Sequence, residues 1–223
     1  LTWDLLRLRT FRASVVGGFL TRLGISGMPM LLPLLYQLGL GLPAWQSGLL
    51  MMPTALGAIG MKALSVATLR RFGFRRVLTA NTILAGMAIA SFATVGPQTP
   101  VVLIVAHALA MGLFNSLQFS AMNTLAYADV PADQASVATT LSGTMQQLSM
   151  SVGMALAGIV VAAWLGRASM DDPQAVRQAL HLSFLSLGAL TMLSSLSYHA
   201  LRPDDGDAVS RAAGPGGGRT TPP

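Results

Sequence analysis

Polar side chains that could bind a small molecule recur at helical spacing inside a long apolar run of this sequence. The run contains His107, Met111, Asn115, Gln118 and Met122, each three or four residues from the next. Residues at this spacing share one face of an α-helix, so these five side chains are predicted to point the same way. Amides donate and accept hydrogen bonds, and methionine adapts its shape to its neighbours. Such a face tolerates ligands of many shapes.

Two further apolar runs carry similar stripes. Their members are Arg22, Ser26, Met30, Pro33 and Gln37 in the first, and Thr139, Gly143, Gln146, Met150 and Met154, with Gln147 adjacent, in the second. We predict a substrate cavity lined by Arg22, Ser26, Met30, Gln37, His107, Asn115, Gln118, Gln146 and Gln147. The alternative for any single polar residue is that it holds two helices together without touching a ligand.

Of the residues in these stripes, Arg22 costs the most free energy to insert into a membrane. It lies ten residues after Arg12, which places it about 15 Å further along a helix and near the middle of a membrane. An arginine at that depth costs at least ~2.5 kcal/mol on insertion scales. The apolar runs contain no Asp or Glu. The partner of Arg22 must therefore come from the backbone, from an anionic substrate, or from protein outside this chain.

Composition identifies the elements that hold these stripes. The chain is 52% hydrophobic and 10% charged, whereas soluble domains carry about 25% charged residues. Crossing a membrane takes ~20 apolar residues in a helix. Apolar runs of about that length cover 13–38, 46–69, 77–95, 101–127, 137–165 and 180–201. We predict an all-α, polytopic membrane protein with six transmembrane helices.

The ends of the chain differ from its middle. Residues 1–12 mix arginines with leucines, which predicts an amphipathic lead-in that lies at the membrane surface. Residues 13–201 form the predicted transmembrane domain, and residues 202–223 are polar and rich in Gly and Pro, which predicts a disordered tail. The chain begins with Leu1 and shows no signal-peptide pattern, so we expect a fragment of a longer protein.

The arginine distribution predicts orientation. The turn LRRFGFRR, residues 69–76, places Arg70, Arg71, Arg75 and Arg76 around Gly73. Short loops rich in Lys and Arg stay in the cytoplasm, so this turn and both termini are predicted to be cytoplasmic. One loop on the same side, ADVPADQ, has no basic residue, but acids count little in this rule. The basic residues form no continuous stripe, so nucleic acid is not an expected partner.

Prolines and a glycine interrupt the predicted helices. Pro29, Pro33 and Pro53 lie inside apolar runs, and each removes a backbone hydrogen bond of its helix. Kinks at these positions, together with the turn at Gly73, would let a cavity open and close.

The arginine turn resembles a loop motif of the major facilitator superfamily, in which a glycine flanked by basic residues joins two helices of each half. Together with LTRLGISGMPMLLPLLYQ, SGLLMMPTALGAIG and ATTLSGTMQQLSMSVGMALAG, it makes the chain similar to the C-terminal half of drug:proton antiporters of the EmrB/QacA branch. The acid that usually precedes the basic residues of the motif is replaced by Arg70.

The resemblance implies one half-bundle of a major facilitator fold, in which the first, second, fourth and fifth helices line the path. It also implies proton-coupled efflux of drugs or other small amphipathic molecules by alternating access, in a bacterial inner membrane. The missing partner is then the N-terminal half. His107 is the one buried candidate for titration, so the coupling acid is expected in that half.

Two other functions are consistent with parts of the sequence. A six-helix membrane scaffold that binds a partner without transport is one alternative. A rhomboid-like intramembrane protease is the other, because GISG around Ser26 matches its serine motif and His181 and His199 are available. That serine would have to lie on the fourth span, however, and Ser26 lies on the first. The histidines lack metal-ligand spacing and the chain has no Cys, so we expect no enzyme activity, metal or cofactor.

Overall fold

The computed structural model describes residues 8–166 and 172–201, which include six helices long and apolar enough to cross a membrane. They are α1 (Thr10–Gly39), α2 (Ala44–Phe72), α3 (Phe74–Thr94), α4 (Val101–Ala126), α5 (Ala135–Leu165) and α6 (Pro173–Tyr198). The predicted all-α, six-span membrane fold is confirmed. The predicted tail at 202–223 and residues 1–7 of the predicted lead-in lie outside the described residues.

Helix α6 begins seven residues earlier than the apolar run predicts, at Pro173 instead of residue 180. The side chain of Asp172 accepts a hydrogen bond from the backbone N–H of Gln174 at 2.9 Å, which caps the helix. Proline is favoured in the first helical turn because it has no N–H to lose there. The Asp-Pro pair was thus a usable start signal, although the polar first turns of α6 hid it from a hydropathy reading.

Helix α1 is interrupted at its middle. An α-helix from Gly18–Ile25 ends in a turn at Ser26 and Gly27, and a second one, Met28–Leu34, follows it. Pro29 lies in the first turn of this second helix and Pro33 lies inside it. Helix α2, in contrast, continues through Pro53 as one element of 29 residues. The predicted interruption is therefore present in α1, and Pro53 does not end its helix.

The helices pack so that α2 lies against α4, α3 lies against α4 and α6, and α1 lies against α5 and α6. One core cluster joins Ala13 of α1 to Leu69, Phe74 and Tyr198. The start of α1, the arginine turn and the end of α6 therefore meet at one end of the bundle, which we call the arginine end. A second cluster, which includes Leu35, fills the opposite end.

Burial differs strongly between helices. The most apolar window of α1 is 67% buried, whereas those of α2 and α5 are only 17% and 22% buried. Large side chains on α2, such as Leu56 and Ile59, are correspondingly exposed. The outer faces of α2 and α5 thus lack a protein partner within the described residues.

Candidate functional site

Helices α1, α2, α4 and α5 line a cavity of about 160 Å³. Its walls are Ile25, Ser26, Met28, Pro29 and Leu32 of α1, Met51 and Thr54 of α2, Met111, Asn115 and Phe119 of α4, and Met150 and Met154 of α5. Five of these twelve side chains are methionines, so we call it the methionine cavity. Methionine side chains are flexible and polarisable, which lets such a wall adapt to ligands of different shape.

Two polar atoms at the methionine cavity have no hydrogen-bond partner among the described residues. They are Oδ1 of Asn115 and Oγ1 of Thr54, both buried. An unpaired buried polar group costs about 1–3 kcal/mol. Both atoms are shielded in this conformation, so a ligand that donates a hydrogen bond to Asn115 or Thr54 would reach them only after these side chains rotate. The wall of the cavity is otherwise mainly apolar.

Arg22 lies one helical turn before Ser26 and is only 6% exposed. Its Nη2 donates a hydrogen bond to Oε1 of Gln146 at 3.4 Å, which is long. Its guanidinium carbon lies 5.0 Å from the ring centre of Phe119, within the range of a cation–π contact. Its Nε has no partner among the described residues. The guanidinium thus contacts Phe119, one wall residue of the methionine cavity, and reaches back to Gly18 without lining the cavity itself. It lacks an anionic partner in the described spans.

Gln118 is placed inside the helix bundle and does not line the methionine cavity. It is 1% exposed, accepts from Nδ2 of Asn81 at 2.7 Å and donates to Oγ1 of Thr82 at 2.8 Å. The hydroxyl of Tyr198 lies 3.4 Å from Gln118 Nε2 and 2.8 Å from Oγ1 of Thr21. These bonds join α1, α3, α4 and α6. The structure thus places the amide of Gln118 in hydrogen bonds between helices, and Gln118 is not among the residues that line the methionine cavity.

The other predicted cavity residues are dispersed. Gln37 and Gln147 are exposed, and Met30 is half-buried; none of the three lines the methionine cavity. The ring of His107 packs against Phe92 with centroids 5.6 Å apart, in the half of α4 away from the arginine end. Of the predicted cavity residues, the structure brings Ser26 and Asn115 to the cavity, with Arg22 and Gln146 beside it. Pro29, predicted as a kink, also lines the wall.

Sequence reasoning missed six of the cavity residues, of which Thr54 and Phe119 are the polar and the aromatic one; the others are Ile25, Met28, Leu32 and Met51. Phe119 follows Gln118 directly, and an aromatic ring within an apolar run gives no sign of whether it faces lipid or a ligand. Thr54 follows Pro53, which was considered only as a kink. A polar residue beside a membrane-embedded proline was the available signal for this part of the wall.

The arginine turn is reduced to a single residue, Gly73, between α2 and α3. Its φ of 76° and ψ of 155° lie in a region that essentially only glycine adopts. Phe74 beside it is buried, whereas Arg70, Arg71 and Arg76 are exposed and Arg75 is half-exposed. The turn therefore holds its aromatic residue in the core and presents its positive charge outward.

Metal and protease chemistry find no support in the described residues. No group of three or more His, Cys, Asp or Glu side chains that could hold a metal ion occurs among them. His181 Nε2 lies 2.8 Å from the carbonyl oxygen of Val95, at the end of the bundle opposite the arginine end. Ser26 belongs to the wall of the methionine cavity instead.

Comparison with known proteins agrees with this architecture. The family model described as "Major Facilitator Superfamily" matches residues 2–154. The chain is 32% identical to the "Putative multidrug resistance protein MdtD" of Serratia proteamaculans, over 97% of this chain and 45% of that protein. It is 35% identical to the protein of that name from Klebsiella pneumoniae, over 91% of this chain and 43% of that protein. The chain thus spans less than half the length of the relatives it matches.

Proposed function

The chain belongs to the major facilitator superfamily, and we propose that it forms one half of a transporter that exports small amphipathic molecules by alternating access. The observation that carries this proposal is the methionine cavity between α1, α2, α4 and α5. These are the helices that line the path in the superfamily. At about 160 Å³ the cavity is smaller than the ~300–1,000 Å³ of sites for drug-sized ligands. We infer that a second half supplies the opposite wall.

One side of the methionine cavity is open, which supports the proposal that a second half of the transporter closes it. Met150 and Met154 line the cavity, yet they are 37% and 46% exposed. The weakly buried faces of α2 and α5 lie on the same helices. We propose that this chain is the C-terminal half and that the N-terminal half of the complete protein covers these faces.

We also propose a substrate class and a coupling ion for the complete transporter. The relatives named above are called multidrug resistance proteins, and an adaptable methionine wall suits substrates of varied shape. We propose drugs or similar amphipathic molecules as substrates and protons as the coupling ion. The six spans contain no Asp or Glu, so the coupling carboxylate is proposed to lie in the other half.

The orientation of the chain in the membrane is proposed from the positions of its arginines. The arginine end carries Arg70, Arg71, Arg75 and Arg76, and the positive-inside rule then places it in the cytoplasm. Because α1 starts and α6 ends at this same end, both termini are proposed to be cytoplasmic. Residues 1–12 are proposed as an interfacial lead-in and 202–223 as a cytoplasmic tail, in a bacterial inner membrane.

The two alternatives are not favoured. The family match and the named relatives give no support to a scaffold without transport. A rhomboid-like protease would need a histidine beside Ser26, whereas His181 contacts the carbonyl of Val95. The side chain of His199 lies outside the part of the chain that the structure describes.

A paired substitution on α4 tests the proposed cavity. Asn115→Leu in the complete protein is expected to lower export several-fold for substrates that bond its amide, with thermal stability kept because an unpaired carbonyl is removed. Gln118→Leu is expected to do the opposite: to cost about 1 kcal/mol of stability through lost interhelical bonds, with export per folded molecule kept. Export assays in inverted vesicles and thermal unfolding measure both. Unchanged export by Asn115→Leu for a panel of substrates would contradict the cavity.

Cysteine labelling tests the orientation, since the chain has no Cys of its own. Phe72, which is 53% exposed beside Gly73, and Gln98, which is exposed in the loop after α3, lie at opposite ends of the bundle. In intact cells, a membrane-impermeant maleimide is expected to label Gln98→Cys and not Phe72→Cys. Labelling of Phe72→Cys alone would place the arginine end outside.

A further inference from the structure

A second cavity, of about 230 Å³, opens on the outer surface of the bundle between α2, α3 and α4. Its lining residues are Thr68 and Phe72 of α2, Arg76, Val77, Ala80, Asn81 and Leu84 of α3, and Phe114 and Leu117 of α4. Phe72 and Leu84 are 53% and 40% exposed, so the cavity is open to the surroundings of the protein. We call it the arginine groove. It is separate from the methionine cavity and does not depend on the proposed transport function.

The mouth of the arginine groove is positively charged. Arg76 is one of its lining residues and is exposed. The guanidinium carbon of Arg71 lies 5.5 Å from the ring centre of Phe72, which also lines the groove. Arg76 and Arg71 therefore lie at the mouth of the groove.

No nearby acid neutralises these arginines in the three helices that form the groove. The sequence has no acidic residue between Asp4 and Asp129. Asp129 lies in the loop after α4, where it accepts a hydrogen bond from Thr10 at 2.7 Å. Asp172 caps α6 at the other end of the bundle. An anion at the groove mouth would therefore gain charge pairing without displacing an acid of α2, α3 or α4.

Below the mouth, the groove is mostly apolar. Along α3 it extends from Arg76 to Leu84, eight residues or about 12 Å of helix. Val77, Leu84, Phe114 and Leu117 give an apolar surface beyond the arginines. With the arginine end at a membrane surface, as the proposed orientation has it, the groove runs from positive charge to apolar walls in the same order as the phosphate and acyl chain of a phospholipid.

We propose that the arginine groove binds an anionic phospholipid, with the phosphate at Arg76 and Arg71 and an acyl chain along Val77, Leu84 and Phe114. The acyl chain is in an apolar environment both in the bilayer and in the groove. The groove walls therefore hold the lipid in position but do not discriminate between headgroups. The preference comes from the arginines, because basic residues at a membrane surface attract anionic headgroups. The lipid is therefore selected by headgroup charge and retained by the groove.

Native mass spectrometry of the purified complete protein tests the headgroup. Phosphatidylglycerol and phosphatidylcholine with the same acyl chains are titrated separately. Phosphatidylglycerol is expected to bind more tightly, and Arg76→Gln is expected to weaken its binding about fivefold. Arg12→Gln is the matched control, because Arg12 is an exposed arginine at the same end of the bundle and outside the groove. Equal binding of both lipids, or equal losses in the two variants, would show a general surface charge effect and overturn the site.

A groove-filling variant tests the walls while it keeps every arginine. Ala80 lines the groove, and Ala106 is exposed on α4 outside it. Ala80→Trp is expected to reduce the phosphatidylglycerol retained through purification, whereas Ala106→Trp is expected to retain the wild-type amount. Retention by Ala80→Trp equal to wild type would overturn the proposal. This arm also decides the question if Arg76→Gln fails to insert, since neither tryptophan variant changes the charge that orients the helices.

Discussion

Arg22→Leu is expected to fold and to lose export by tenfold or more in the complete protein. Arg22 is 6% exposed, and its guanidinium contacts Gln146 at 3.4 Å and the ring of Phe119, a wall residue of the methionine cavity, at 5.0 Å. An arginine in a span costs at least ~2.5 kcal/mol, and neither contact is anionic, so a neutral leucine removes a desolvation cost and keeps the fold. The loss of export follows if the charge meets an anion from the substrate or from the other half.

Two further variants show whether the loss of export in Arg22→Leu comes from the charge and geometry of this arginine. Arg22→Lys is expected to recover export only in part, because an ammonium keeps the charge but lacks the planar fork that binds a carboxylate with two hydrogen bonds. Arg12→Leu removes an exposed arginine at the start of the same helix and is expected to keep export near wild type. Export rates per expressed molecule are the measurement. Wild-type export by Arg22→Leu would show that the arginine has only a packing role.

Gly57→Ala is expected to destabilise the protein by about 2–3 kcal/mol, because small-to-large changes in a packed interface force the backbone apart. A Cβ at Gly57 would collide with the carbonyl oxygen of Leu109 and lie 3.1 Å from the backbone nitrogen of Leu113. These atoms belong to the backbone of α4, which cannot move as a side chain can. The contact between α2 and α4 would have to widen, and both helices line the methionine cavity.

Gly60 provides the matched control one turn further along α2. A Cβ there would have no heavy atom of the described residues within 4 Å, so Gly60→Ala has room within this chain. It is expected to be neutral or to stabilise α2 by up to about 1 kcal/mol, the helix-propensity difference between the two residues. Thermal unfolding of both variants in detergent gives the comparison. Equal stability of the two variants would mean that α2 and α4 do not approach each other as closely as described.

The sequence was sufficient to predict the six spans and the fold class. Hydropathy determines where a helix can cross a membrane, because lipid leaves the backbone no partner outside its own helix. It placed the spans within a few residues, apart from the polar start of α6 at Pro173. The interruption of α1 near Pro29 also had a local cause in the sequence, and so did the turn at Gly73, since both depend on backbone chemistry that a residue type fixes.

The choice between cavity and helix interface was made only by the tertiary structure. Asn115 and Gln118 are three residues apart on α4, which separates their directions by only about 60°. The sequence therefore assigned both to one stripe. In the structure Gln118 bonds Asn81 and Thr82, whereas Asn115 lines the methionine cavity. In a membrane protein, apolar residues face lipid and core alike, so periodicity gives the spacing of a face and leaves its neighbour undetermined; the partners on α3 lie over thirty positions away in sequence.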